Sequence, residues 1–354
     1  MKKRTFAWLS LSVLLLGTVG LSLYLRRPVE YRSDQFLMDT LVSIRVFGTN
    51  EDALREAVRE AYAEMHRIAD LTDRFPAAGS AACAASNVCQ INRMAGVRPV
   101  RVDKDVFAML EMARNYHNLT DGAFDVTIGP VMGLWGFGDK SPRVPGDDEI
   151  KASLVSVNND NVRLDAKTLS VFLEKKGMIL DLGAVAKGYA TEKAVQVLKK
   201  NGIKKALIDA GGTIRVIGNS VGNTPWRIGI KNPASMGDIV AVVSLTDMAA
   251  VTSGDYYRYF EAKGRRWNHI LDPRTGYPAT ENRSVTVVAK DAALADVLST
   301  ALFVLEPEKA LEKARQLGVE VFIVRADSRI LYTPGLQGRM ELLEVTGRAD
   351  EQSR

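Results

Sequence analysis

Cysteine and histidine are scarce in this chain of 354 residues, which holds two of the first and three of the second. It has no paired CxxC, so a thiolate zinc site is excluded. A Walker loop, a GxSxG elbow and an HExxH pair are also missing, which removes the P-loop, α/β-hydrolase and zincin readings. No basic run is interleaved with aromatics, and 47 Lys and Arg against 42 Asp and Glu leave a net charge of only +5. Nucleic acid is therefore not an expected partner. No internal repeat and no long Pro/Ser linker divide the body, so one catalytic domain is the economical reading.

What is present describes an ordinary folded protein: 46% hydrophobic residues with both charge signs mixed, in a chain long enough for a substantial core. The amino terminus differs. MKKR precedes an uncharged, mostly apolar stretch from Thr5 to Leu25, followed by Arg26 and Arg27. About 20 such residues suffice to cross a hydrocarbon core as a helix. A signal peptide usually has a shorter apolar region, so an uncleaved anchor over 1–27 is favoured over a cleaved one. The segment holds no cysteine for a lipid anchor. The body would span 28–345 and end in a polar tail, 346–354. Cys83 and Cys89 lie close together in AGSAACAASNVC. In an oxidising compartment they would close a small loop; two free thiols are the alternative.

Along the body, Phe36 to Phe47 alternates as a strand, and Glu51 to Ala69 carries an apolar face at helical spacing. Val106 to Asn118 reads as a second helix, and LTDGAFDVTIGPVMGLWGFGD as a glycine-punctuated loop. A strand over Met178–Leu182 is expected to lead into a helix ending near Lys200. Lys205–Ile217 reads as a strand broken at Gly211 and Gly212. Strands follow around Trp226–Ile230, Ile239–Leu245 and Ala249–Thr252, then a hairpin from Tyr257 to Leu271. The last third reads as strand Ser284–Ala289, helices Ala292–Val304 and Pro307–Leu317, and strand Glu320–Arg325. Strands come in runs without a regular strand-helix-strand repeat, which favours an α+β class.

Two segments carry the chemistry. DLGAVAKGYA, Asp181 to Ala190, places a carboxylate, a tight Gly/Ala turn and Lys187 at the start of a helix, where free N–H groups favour anions. Far downstream, DAALADVLSTAL sets Asp296 and Thr300 four apart on one helix face, an oxygen pair suited to Mg2+. Each segment also has a plain reading, as a solvated cation at a helix start and as a helix carboxylate beside a back-bonded hydroxyl. Of the histidines, His66 and His117 fall in helices and read as structural or surface residues. His269, in WNHILDPRTGYP, stands where a strand runs into a Pro/Gly turn, a common place for functional groups.

MDTLVSIRVFG, DGAFDVTIGPVMGLWGFG, DLGAVAKGYA, DAGGTIRVIG, SGDYYRYF, NHILDPRTGYP and the Asp296–Thr300 segment occur in an order that resembles the ApbE family. The likeness runs from about Met38 to Val304. It implies a single mixed α/β catalytic domain of the ApbE, T-fold-like type, and FAD:protein FMN transferase activity. FMN would pass from FAD, the substrate, to a threonine or serine of an acceptor flavoprotein of the respiratory or electron-transfer kind, with AMP released and Mg2+ required.

By position, Met38, Phe75, Ala123, Phe124, Asp125, Asp181, Lys187 and Ile270 resemble the FAD-contacting set. The Ala184 carbonyl, Asp296 and Thr300 resemble the metal ligands. Phe124 is expected to face an aromatic ring system. His269 is the candidate base or proton shuttle. LTDRF and the cysteine-bearing insertion depart from the family pattern, as does Asp39 in MDT, where a small residue is usual. An FAD pyrophosphatase, with water as acceptor, would use the same residues. A non-catalytic flavin-binding or scaffold protein would have lost Asp296 and Thr300, and both are present. The anchor and its flanks imply a bacterial inner-membrane protein with its body facing the periplasm or exterior.

Overall fold

The computed structural model describes residues 28–75, 80–137, 141–235 and 237–343. The anchor expected over Thr5–Leu25 and the polar tail expected over 346–354 lie outside them. No helix among the described residues is long and apolar enough to cross a membrane.

The alternation read as one strand from Phe36 to Phe47 belongs to two. Strand β1 (Val29–Leu37) folds back on β2 (Thr40–Gly48) in antiparallel register from Val29↔Gly48 to Leu37↔Thr40. Met38 and Asp39 make the turn at φ 53° and 60°. Two left-handed residues match the twist of a tight hairpin. Both arms alternate, so the pattern shows no break where the turn falls.

Helix α1 (Glu51–Thr72) is capped by the Asn50 side chain on the Ala53 N–H and buries Leu54, Val58, Tyr62, Met65 and Ile68. Short helices α2 (Ser80–Ala85) and α3 (Asn87–Arg93) follow, then β3 (Val100–Arg101) and α4 (Lys104–Leu119). The glycine-punctuated loop contains a short helix, α5 (Gly129–Trp135), and α6 (Asp147–Leu154) comes next. Strands β4 (Val162–Asp165) and β5 (Ser170–Leu173) precede α7 (Ala186–Lys200). The hairpin β6 (Ala206–Ala210) and β7 (Thr213–Ile217) turns at Gly211 and Gly212. Then come β8 (Trp226–Lys231), β9 (Ile239–Leu245), β10 (Ala249–Gly254), β11 (Tyr259–Ala262), β12 (Arg265–Asn268) and β13 (Asn282–Ala289). The chain continues through α8 (Ala292–Val304), α9 (Pro307–Gln316), β14 (Glu320–Arg325), β15 (Ile330–Tyr332) and β16 (Met340–Leu342).

Eight strands form one sheet in the order β1-β2-β6-β7-β10-β13-β14-β15, with every neighbouring pair antiparallel. A central sheet of that kind with helices packed on it is the α+β arrangement expected. Apolar faces of α1, α4 and α7 make one core with β2 and β6, while α8 and α9 make a second with β10, β13 and β14. A third core holds Phe47, Val216 and Phe322 of the large sheet against Trp226, Ile228 and Val243 of the three-stranded sheet β16-β9-β8. Burial on this scale, at roughly 25 cal/mol per Å² of apolar surface, is the main stabilising term.

Cys83 and Cys89 are joined, with their Cα atoms 5.4 Å apart. Met178–Leu182 is not a strand: beyond one isolated bridge, Ile128↔Ile179, it runs as an irregular extended segment. Met178, Leu180 and Leu182 are buried in the first core, so composition alone imitated a strand.

Candidate active site

The irregular run before α7 is held by partners from far away in the chain. The Asn92 side-chain amide donates to the Leu180 carbonyl at 3.1 Å and accepts from the Leu180 N–H at 2.7 Å. The Asp181 N–H donates to the Val126 carbonyl at 2.7 Å, which binds the segment to the Ala123–Asp125 loop. Asp181 then turns the chain by accepting the Gly183 N–H at 2.8 Å. Lys187, one helical turn on, bends back to the Gly183 carbonyl at 3.1 Å.

Helices α7 and α8 cross at Gly188. A side chain there would lie 2.3 Å from the Ala292 carbonyl oxygen and 2.6 Å from the Asp296 Cβ, so only glycine permits the approach. The Gly188 N–H donates to Asp296 Oδ2 at 2.8 Å, and Lys187 Nζ stands 3.8 Å from Asp296 Oδ1. Gly188 lies in the first turn of α7, where a backbone N–H has no acceptor within the helix; here it is committed to Asp296. Asp296 is only 4% exposed, a buried carboxylate with a backbone donor and a nearby cation. It is no solvated helix residue. Thr300 Oγ1 meets Ser253 Oγ of β10 at 3.2 Å.

A carboxylate, a hydroxyl and a backbone carbonyl suit a hard cation and leave coordination positions for water and phosphate. Among the described residues no cluster of three or more His, Cys, Asp or Glu could hold a metal by itself. The set fits Mg2+ only as a site that a phosphate-bearing substrate completes.

The remaining residues are distributed as follows. Asp125 is buried and accepts from Thr127 N–H and Oγ1 at 2.8 and 2.7 Å. Ala123 is buried in the second core. Phe124 is 3% exposed and packs in the first core, so the expected open face toward an aromatic ligand is not met. Met38, half-buried in its left-handed turn, packs against that same core. Ile270 is buried, with its N–H on Asn268 Oδ1 and its carbonyl accepting from Ala279. Phe75 stands 74% exposed, with the Arg74 guanidinium 4.1 Å from its ring centre.

His269 is half-buried, and its Nδ1 lies 3.1 Å from the Arg258 carbonyl. A carbonyl only accepts, so Nδ1 carries the proton and Nε2 keeps its lone pair. Burial pushes the imidazole pKa down to about 4, helped by the Arg258 and Lys187 charges and opposed by the Arg258 carbonyl and by Asp181. The ring is neutral at neutral pH, the form a general base requires.

Several supporting residues escaped the sequence reading. His117, read as structural, donates from Nδ1 to the Phe124 carbonyl at 2.9 Å and stands 3.4 Å from Asp125, so it holds the loop that carries them. Asn92 and Ser253 had no local signal, since their importance lies in partners dozens of residues away. His66 meets Gln35 Oε1 at 3.1 Å, consistent with a surface role.

Comparison with known proteins gives the site a context. An FAD:protein FMN transferase of Klebsiella pneumoniae is 39% identical over 252 residues, covering 71% of this chain and 78% of that protein. A Treponema pallidum protein of the same name is 34% identical over 335 residues, or 90% and 91% of the two chains. The crystal structure of the ApbE protein from Thermotoga maritima superposes with a TM-score of 0.80 at 34% identity, covering 88% of this chain and 99% of that one. The ApbE family profile matches residues 38–323, and the chain belongs to that family.

Proposed function

We propose a mechanism for this chain as an FAD:protein FMN transferase: it splits the FAD pyrophosphate and passes FMN to a threonine or serine hydroxyl of an acceptor flavoprotein. The observation that carries the reading is the contact of Asp296 with Gly188 and Lys187. It joins two segments, 108 positions apart, that separately suggested a phosphate and a metal.

The acceptor oxygen forms a bond to the FMN phosphorus, the bond from that phosphorus to the AMP oxygen breaks, and the hydroxyl proton leaves to Nε2 of His269. Nδ1, fixed on the Arg258 carbonyl, aims that lone pair. Lys187 offsets phosphate charge as AMP departs. The Ala184 carbonyl, Asp296 and Thr300 would hold Mg2+. When bound, Mg2+ supplies Lewis-acid stabilisation of the pyrophosphate oxygens. Asp125 and Asp181 fix the backbone around the substrate through the turns they close.

Two features support a body outside the cytoplasm, tethered to the bacterial inner membrane: the Cys83–Cys89 disulfide, and the positively flanked apolar stretch Thr5–Leu25. Asp296→Asn tests the site. It removes a charge while keeping an acceptor for the Gly188 N–H, so AMP release at saturating FAD and limiting Mg2+ should fall at least a hundredfold with folding unchanged. Unaltered release would take Asp296 out of the chemistry.

A further inference from the structure

Arg74 belongs to none of the segments that suggested the function, yet it stands in their midst. Its Nη1 lies 2.8 Å from Asp181 Oδ2, and its guanidinium stacks 4.1 Å from the centre of the Phe75 ring. The contact with Asp181 is close but misaligned: Nη1 is buried and has no hydrogen-bond acceptor in proper geometry among the described residues. A guanidinium held by a carboxylate at one nitrogen keeps further N–H donors for an oxygen ligand. Asp181 is itself tied to Gly183, and Lys187 to the Gly183 carbonyl, so Arg74 is three short contacts from the phosphate-facing lysine.

The charge balance points the same way. Asp181 and Asp296 flank the start of α7, in a site meant for a dianionic pyrophosphate, where Lys187 and Arg258 already bring cations and Arg74 beside Asp181 adds a third. A planar guanidinium with several N–H donors suits phosphate oxygens better than a point charge does. Phe75 adds the second half. Its ring is 74% exposed with Arg74 on it, which leaves ring surface open to a flat base.

The platform is anchored from behind. Ser86 Oγ donates to the Asp73 carbonyl at 2.6 Å, and Asp73 Oδ1 accepts the Phe75 N–H at 2.8 Å.

We propose that Arg74 is a further substrate-binding residue, a guanidinium that takes a phosphate oxygen of the adenylate half of FAD beside Asp181 and backs the Phe75 ring on which adenine lies. This rests on the reading of FAD as substrate. It assigns Arg74 to affinity for one half of the molecule and leaves the flavin half to other residues.

The test is equilibrium binding to the full chain of two probes, ADP with Mg2+ for the adenylate half and riboflavin for the flavin half. Arg74→Ala should weaken ADP at least tenfold, leave riboflavin within twofold, and keep the melting temperature. Arg74→Lys, which retains the charge without the fork, should recover only part of the loss. Unchanged ADP affinity, or equal losses for both probes, overturns the proposal, the latter by making Arg74 a general support of the fold. A parent protein that binds neither probe would instead remove FAD as the substrate. If Arg74 acted only by orienting Asp181, Arg74→Ala and Asp181→Asn combined would weaken ADP no more than either alone; the proposal predicts a larger loss.

Discussion

Replacing Gly188 by alanine probes the crossing on which the site depends. The added Cβ would stand 2.3 Å from the Ala292 oxygen and 2.9 Å from its carbonyl carbon. Both are backbone atoms of α8, so no side-chain rotation relieves the clash. Carbon contacts settle at about 3.5–4.0 Å, so the helices must part by roughly 1 Å. Overpacking of this kind costs about 1–3 kcal/mol. Alanine returns up to about 1 kcal/mol of helix propensity. The net loss is about 1–2 kcal/mol, a fall in melting temperature of roughly 1.5–3 °C for a body of this size.

Function should suffer far more than stability. The shift stretches the 2.8 Å bond from Gly188 to Asp296, and a misplacement of about 1 Å can cost on the order of a hundredfold in rate. Thermal melting together with AMP release at saturating FAD measures both effects. A variant with normal rate and an equal or higher melting temperature would refute the claim that this crossing positions Asp296.

Three further outcomes are expected. His269 has its pKa depressed to about 4 from 6.5, so the acid limb of kcat/KM should fall near pH 4 to 5 and not near 6.5. The same shift costs stability as pH falls from 6.5 toward 4, because only the unfolded chain takes up the proton, up to about 3 kcal/mol in all; His269→Asn should flatten that slope in urea titrations and slow transfer more than it weakens FAD binding. Asp105 is buried where α1, α4 and α7 meet; hydrogen bonds from Lys193, Arg67 and Tyr189 outweigh its burial and hold its pKa at about 2. Its stability is present above the ordinary 3.8 and lost as pH falls toward 2, about 2 kcal/mol; Asp105→Ala, which also strands its cations, should cost about 3–5 kcal/mol by denaturant midpoint, and a loss below 1 would contradict the geometry. Reducing Cys83–Cys89 opens a short loop, worth about 2 kcal/mol in chain entropy; it should lower the melting temperature by a few degrees and weaken FAD binding through Ser86 and Asp73, and unchanged values of both would uncouple the loop from the site.

Helix α8 and strands β9 and β14 were legible to the residue because apolar runs met clear breakers at both ends. The β1–β2 turn was not, since Met38 and Asp39 give no glycine signal for their left-handed backbone. Lys187, Asp296 and Thr300 stood out in the sequence as candidates by their chemical type and spacing. The burial of Asp296 was not, because it depends on a glycine in another helix. Phe124 shows the limit of arguing from type: an aromatic that suits a ring ligand is spent in the core. Arg74 lay hidden in a segment where the chain departs from its family, visible only once Asp181 was placed beside it.

The central claim is that FAD is consumed and FMN leaves it for a protein hydroxyl. Intact mass spectrometry of an acceptor domain with an exposed threonine, incubated with this protein, FAD and Mg2+, tests it most directly. The account predicts an acceptor heavier by one FMN phosphoester unit, with one AMP in solution for each, and neither with Asp296→Asn. FAD recovered intact would contradict both transfer and hydrolysis; free FMN with AMP beside an unmodified, competent acceptor would make the protein a pyrophosphatase.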